Sequence, residues 1–436
     1  MPERRMTDTE ALMWSFDDDP ALRSSFVSVT FLDGPPDFAR FRRRVEDAIA
    51  AMPSLRERVV PGLLTPRWAA DPAFDLDYHV RRVAAPAPAT RRQVLDLAEV
   101  WAADPFDRDR PLWQFTIVEG LDGDEAALVA KMHHVLSDGV GAVRISAAFL
   151  DLSPDGDDLA APEPDQDTAS GGFSAVLGEA ARRVEGLAGT VRHPERVVSI
   201  GRSLVRQAGV VEPSRSPLWT GRRSYQHRFE ARSFDLDEVR ATAKALGGTV
   251  NDVFVTAVAG AAGAYHRARG EDVAELRMSM PVSTRHDRKA GGNAWAPTRV
   301  LVPVRGDARS RFVAVHAILD ATKREPSLSL TQAFAGVARR LPPPVLLRLA
   351  HQQVNTVDFA CSNVRGAPFD LWIGGARVLA NHPMGPTAGT AFNATVLSYR
   401  DQLDLGLNAD AGALDAPAEL AGLIADGLEE LAEASR

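Results

Sequence analysis

The segment from Ala126 to Gly139, AALVAKMHHVLSDG, constrains this chain more than any other. It is an apolar run that ends in two adjacent histidines, with an aspartate four residues after the second and then a glycine. On a strand, successive side chains point to opposite faces. Val129, Lys131 and His133 share one parity, and Leu128, Ala130, Met132 and His134 share the other. The two imidazoles therefore face opposite sides of a sheet and cannot act as a pair on one substrate. One ring is expected to face packed protein and the other a cavity, with Ser137, Asp138 and Gly139 turning the chain away from the strand end. A cavity-facing imidazole suits general-base chemistry, because its unperturbed pKa lies near neutrality. The residues alone leave open a simpler role as a hydrogen-bonded core histidine. No metal site is expected, since the rings diverge and no Cys/His/Asp cluster with zinc-ligand spacing lies nearby.

The surrounding chain places this strand. Phe26 to Leu32 reads as a strand ending in the turn Asp33 to Pro36. A helix follows, with Phe38, Phe41, Val45, Ile49 and Met52 on one stripe, Arg40, Arg42, Arg43 and Arg44 expected on a solvated face, and Pro53 as its stop. Phe74 to Val80 alternates apolar and polar residues like a half-buried strand. Arg91 to Ala102 is helical by its spacing. Trp113 to Val118 is a strand, and Gly120 to Gly123 turns it back into the histidine strand, so Pro111, Leu112 and Trp113 should pack beside the histidines. Beyond Gly139 the spacing predicts a further helix, closed at Pro154.

Asp155 to Gly172 is rich in Asp, Pro, Ala, Gly and Ser and reads as a linker. Ser174 to Ala208 reads as Arg-faced amphipathic helices, either a bridge between domains or a surface for anionic headgroups. In the second half, Thr249, Val250, Asn251 and Asp252 precede a long Ala/Val run, where Asn251 or Asp252 either caps a buried helix or shapes a site. A strand from Leu276 ends in Ser283, Thr284 and Arg285, and a last helix starts near Ala416. Strands and helices mix in both halves. The expected architecture is α/β, as two sandwich-like domains over residues 1–154 and 216–436 joined by a crossover over 155–215, and not one doubly wound sheet. Neither a glycine-rich phosphate loop nor a dinucleotide fingerprint is present.

The 436 residues, 45% hydrophobic and 25% charged, are enough for two domains that each bury a core. A net charge of −8, with arginines interleaved among acids, argues against nucleic acid as the main partner. The single cysteine, Cys361, excludes an internal disulfide framework and fits a reducing, cytoplasmic setting. Met1 to Asp19 lacks the apolar core of a secretory signal, and no run of about 20 apolar residues appears, so contact with a membrane or lipid droplet is expected to be peripheral. The sequence is silent on oligomeric state.

His133, His134, Asp138 and Gly139 match the His-His-x-x-x-Asp-Gly signature of acyltransferases whose fold resembles chloramphenicol acetyltransferase and peptide condensation domains. The chain also resembles the bacterial wax ester synthase/diacylglycerol acyltransferase family along nearly its whole length outside the linker. The matching segments, in the family's order, are Phe74 to Val80, Asp109 to Trp113, Thr249 to Val253, Pro281 to Arg285 with Gly292 and Asn293, Ser362 to Val364, and Leu397 to Tyr399.

The resemblance implies two chloramphenicol acetyltransferase-like domains with a substrate tunnel between them, entered by acyl-CoA from one side and by a long-chain alcohol or diacylglycerol from the other. It implies His134 as the base, no covalent acyl-enzyme, and no cofactor, acyl-CoA being a substrate. It implies an ion pair of Asp138, with Arg285 the candidate partner, and a tight turn at Gly139. Pro111, Leu112 and Trp113 would support the histidine strand, and Asn251 and Asp252 would shape the site. One departure stands out: Arg365 follows Val364, where the family usually has proline, which bears on the acceptor more than on the reaction. Two alternatives stay open, the same fold using a carrier-protein donor or another acceptor in a specialised lipid, polyketide or peptide pathway, and a non-catalytic lipid-binding protein.

Overall fold

The structure, a computed structural model, describes residues 4–62, 65–136, 145–146, 148–156, 214–221, 223–283, 295–323 and 343–436. The first half runs β1 (Arg4–Arg5), α1 (Asp8–Phe16), β2 (Ser25–Leu32), α2 (Phe38–Ala51), β3 (Glu57–Val60), β4 (Arg67–Ala70), α3 (Leu76–His79), β5 (Val80–Ala84), α4 (Arg91–Ala103), β6 (Trp113–Glu119) and β7 (Ala126–His133). The second half runs β8 (His227–Asp235), α5 (Leu236–Ala245), α6 (Val250–Ala268), β9 (Glu275–Ser283), β10 (Trp295–Pro303), α7 (Ala308–Lys323), α8 (Pro343–Val354), β11 (Phe359–Arg365), β12 (Trp372–Ile373), β13 (Ala376–Met384), β14 (Phe392–Tyr399), β15 (Gln402–Asp410) and α9 (Pro417–Ala434).

The first sheet has the order β12-β13-β2-β7-β6-β5, so the histidine strand is interior. β7 is antiparallel to both β2 and β6. Its even positions Ala126, Leu128, Ala130 and Met132 join Phe41, Val45 and Ile49 of α2 and Trp113 and Phe115 of β6 in one core. Its odd positions Ala127 and Val129 pack on Val94, Leu95 and Ala98 of α4. Burying such side chains is worth roughly 1.5–3 kcal/mol each, and a one-residue slip would exchange the two faces, so the register is strongly held.

α2 starts where the Asp37 side chain accepts the Arg40 N–H at 3.0 Å, and it ends before Pro53. Its arginines are not simply a solvated face. Arg40 and Arg44 reach the buried Asp151 carboxylate at 2.6 and 2.7 Å, an acid too far along the chain for helical periodicity to reveal. Phe74 to Val80 also departs from the expected strand. The Asp75 side chain accepts the Asp77 N–H at 3.0 Å and starts the single turn α3, so the strand begins only at Val80. A side-chain cap there outweighs an alternating pattern.

The second sheet has the order β10-β9-β11-β14-β15-β8. One face carries a core shared with α5, α6, α7 and α9. Although β12 and β13 follow residue 216, they complete the sheet of the first half, β13 running antiparallel to β2. Where β13 crosses β15, a Cβ at position 406 would lie 2.1 Å from the Pro383 carbonyl oxygen, so only glycine fits at Gly406. Asn381 donates its N–H to Asp404 at 2.8 Å across the same crossing. A second joint lies at α4, where Arg92 donates to the Phe229 carbonyl at 2.6 Å and Glu99 accepts the Phe229 N–H at 2.8 Å. Most of the expected crossover, over 157–213, lies outside the described residues.

Candidate active site

His133 is the last residue of β7. Its N–H donates to the Leu112 carbonyl at 3.1 Å, tying it to the segment that enters β6. The ring is fully buried, among Trp14, Phe106 and the Asp17 carboxylate. Nδ1 accepts the Val135 N–H at 3.1 Å, so the ring proton sits on Nε2, which points at Asp17 Oδ1 2.8 Å away. Burial is the largest influence on the Asp17 carboxyl and would raise it, but the hydrogen bond from His133 and the charges of Arg23 and Arg108 together hold it below its usual value.

His134 lies one residue past the strand and turns the other way. Its N–H donates to the Ser24 carbonyl at 3.0 Å. Its partly exposed ring lies 4.7 Å from the Phe26 ring, tilted by 38°. Phe26 belongs with Met132 and Trp113 to the core on the even side of β7. The two imidazoles therefore serve different sides of the sheet, as strand alternation requires.

Pro111, Leu112 and Trp113 form the wall beside this strand, all of them buried. Trp113 is opposite Met132 in register and donates its indole N–H to the Leu55 carbonyl at 2.8 Å. His79 stacks on Trp113 at 4.5 Å and donates from Nδ1 to the Trp113 carbonyl at 2.6 Å. Burial pushes this imidazole down to about 4 despite that bond. Val364, Leu397 and Tyr399 of the second half pack into the same cluster as Trp113 and Met132. Both halves therefore build the apolar ground on the His134 side.

Asn251 and Asp252 lie at the start of α6. Asn251 donates to Met280 Sδ at 3.8 Å. Asp252 forms a capping box with Thr249, accepting its N–H at 2.8 Å, and its Oδ2 is 2.9 Å from His316 Nδ1. Among the described residues, the Asp252 bonds serve the helix start and α7, and the Asn251 bond reaches β9. Asp138, Gly139 and Arg285 lie outside the described residues, as do Gly292 and Asn293. Among the described residues no three or more His, Cys, Asp or Glu side chains are grouped to hold a metal ion. Sequence reasoning did not single out Asp17, 116 residues from His133, or the ring of Phe26 as site residues. The one local signal for Asp17 is the acidic run Asp17, Asp18, Asp19 before Pro20.

A buried imidazole fixed by a carboxylate, next to a half-buried imidazole set against Phe26, can hold one ring still while the other exchanges a proton. The two interlocked α/β sandwiches define the class by fold, that of the chloramphenicol acetyltransferase-like and condensation domains. Profile matches narrow it, with the wax ester synthase/diacylglycerol acyltransferase catalytic domain over residues 6–254 and the WS/DGAT C-terminal domain over 292–432. The chain belongs to the wax ester synthase/diacylglycerol acyltransferase family and is an acyltransferase of that family.

Two proteins of Mycobacterium tuberculosis H37Rv, both bearing the name of a diacylglycerol O-acyltransferase, are similar to it. One is 36% identical over 89% of this chain and 83% of its own length, and the other 34% identical over 99% and 98%. Among solved structures, the wax ester synthase/diacylglycerol acyltransferase of Marinobacter aquaeolei VT8 superposes with a TM-score of 0.71 at 22% identity, covering 99% of both chains. The starter condensation domain of rhizomide synthetase, in complex with C8-CoA and Leu-SNAC, gives 0.63 at 16% identity over 99% of this chain and 94% of that one.

Proposed function

We propose that this chain transfers a fatty acyl group from acyl-CoA to a long-chain alcohol or diacylglycerol, forming wax ester or triacylglycerol, with His134 as the general base. The observation that carries this reading is the placement of the His134 ring. It is partly exposed, set against Phe26, and turned towards a cluster that both halves build. His134 takes the proton from the acceptor hydroxyl as its oxygen attacks the thioester carbonyl. The tetrahedral intermediate then collapses with cleavage of the C–S bond, and the imidazole returns the proton to the departing CoA sulfur. The products are ester and free CoA thiol. No cofactor and no acyl-enzyme enter this balance.

A base of this kind supplies roughly 10²–10⁴-fold, with holding both substrates in line between the halves as a second source. Among the described residues no single helix is long and apolar enough to cross a membrane. The lipid nature of both proposed substrates is the reason to read their delivery as peripheral contact with a membrane or lipid-droplet surface.

The test is release of CoA thiol from palmitoyl-CoA with hexadecanol or with diacylglycerol, comparing the native chain with His134→Ala. The reading expects histidine-dependent release with at least one acceptor. Release with neither, or turnover only from an acylated carrier protein, would refute it.

A further inference from the structure

We infer that Asp17 is a positioning residue for the reaction, acting on His134 through the His133 imidazole and the Val135 amide. This rests on the reading of His134 as the base. The backbone on both sides of His134 is tied down at three points. Its own N–H is held by the Ser24 carbonyl at 3.0 Å, the Val135 N–H by His133 Nδ1 at 3.1 Å, and the Leu136 N–H by the His133 carbonyl at 3.0 Å. The middle tie exists only while Nδ1 carries no proton, and the Asp17 carboxylate at 2.8 Å enforces that state by drawing the ring proton to Nε2.

Both side chains are buried, at 0% and 3% exposure, so solvent cannot replace the carboxylate. The turn that follows Asp17 is itself anchored twice. Asp18 pairs with Arg108, and Asp19 Oδ2 lies 2.6 Å from His351 Nε2 on α8. The acid that sets the tautomer is thus fixed both to the loop before Pro111 and to the second half of the molecule.

The chemistry makes the inference testable with Asp17→Asn, which keeps the size and removes the charge. An amide can turn its NH₂ towards Nε2, which then must accept, so the ring proton moves to Nδ1 and the Val135 tie is lost. With histidine labelled in ¹⁵N and the His133 resonance assigned through His133→Gln, the native chain should show Nε2–H and Asp17→Asn a detectable Nδ1–H fraction. The expected loss in kcat is roughly 10- to 100-fold, the range for an orienting partner, with KM for palmitoyl-CoA unchanged. Asp17→Glu, which restores a carboxylate, should recover the Nε2–H form and most of kcat.

A native tautomer and native kcat in Asp17→Asn would overturn the inference, and so would a fall in kcat with the tautomer unchanged. If Asp17→Asn does not fold, Asp17→Glu decides alone: Nε2–H with kcat near native supports the role, and Nε2–H with kcat reduced as far overturns it. His134→Ala run alongside separates the two readings, because full activity in that variant would remove the base while leaving the tautomer result intact.

Discussion

The His134 ring stands 4.7 Å from the Phe26 ring, on the side of the sheet away from His133. Phe26 of β2 is opposite Met132 of β7, so a wall residue comes from one strand and the proposed base follows its neighbour. Phe26→Ala should cost about 2 kcal/mol, less than the usual core value because the ring is only partly buried, and should lower kcat about tenfold by freeing the imidazole. Phe26→Leu should retain most of both. Urea unfolding and CoA release measure the two effects separately.

Trp113 combines packing with one hydrogen bond. Trp113→Phe keeps an aromatic face for His79 and leaves the Leu55 carbonyl without its donor, for an expected loss of about 1–2 kcal/mol. Trp113→Ala removes the ring that joins both halves and should cost about 3–5 kcal/mol. Denaturant midpoints of the two variants should therefore separate clearly. Equal midpoints would mean that the hydrogen bond matters and the packing does not.

Asp151 is fully buried between the guanidinium groups of Arg40 and Arg44. Asp151→Asn leaves two cations facing an amide and should destabilise by roughly 3–5 kcal/mol. Arg44→Met, with Arg40 still in place, should cost less. A variant Asp151→Asn with native stability would show that the cluster is solvated in solution.

Two groups of buried residues titrate in opposite directions. Burial pushes His79 and His382 down to about 4 from 6.5, each opposed by a hydrogen bond to a backbone carbonyl. Between those values the folded chain binds fewer protons than the unfolded one, so stability falls as pH drops from about 6.5 towards 4, by up to about 3 kcal/mol for each histidine. Burial raises Asp404 from 3.8 to about 6, against the hydrogen bonds from Ser233 and Asn381. Its contribution is full below about 3.8 and is lost as pH rises through about 6. Asp404→Asn should accordingly look more favourable at pH 7.5 than at pH 4 when unfolding free energies are compared. A pH-independent difference would contradict the assignment.

Strand alternation in the sequence was enough to send His133 and His134 to opposite sides, because period-two packing leaves a buried interior strand little choice. The helix over α2, the turn into β7 and the approach of Trp113 to the histidine strand were legible for the same reason, since each rests on contacts or caps close in sequence. What escaped depends on long-range partners. Nothing near Asp17 announces an imidazole 116 residues away, nothing near Arg44 announces Asp151, and nothing in β13 announces that it will join the sheet of the first half. At α3 the local rule itself misled, because Asp75 as a cap outweighed an apparent strand pattern. The sequence left Asn251 and Asp252 between a helix cap and a part in shaping the site; Asp252 completes the capping box with Thr249, while Asn251 donates to Met280.

The central claim is that the two adjacent histidines divide the work, one holding position and the other moving the proton. Single-turnover transfer from palmitoyl-CoA, measured with melting temperature in His133→Gln and His134→Gln, tests it most directly. The account predicts that His134→Gln loses roughly 10²–10⁴-fold in rate at a near-native melting temperature, while His133→Gln melts markedly lower. A His134→Gln variant that turns over at the native rate would contradict it.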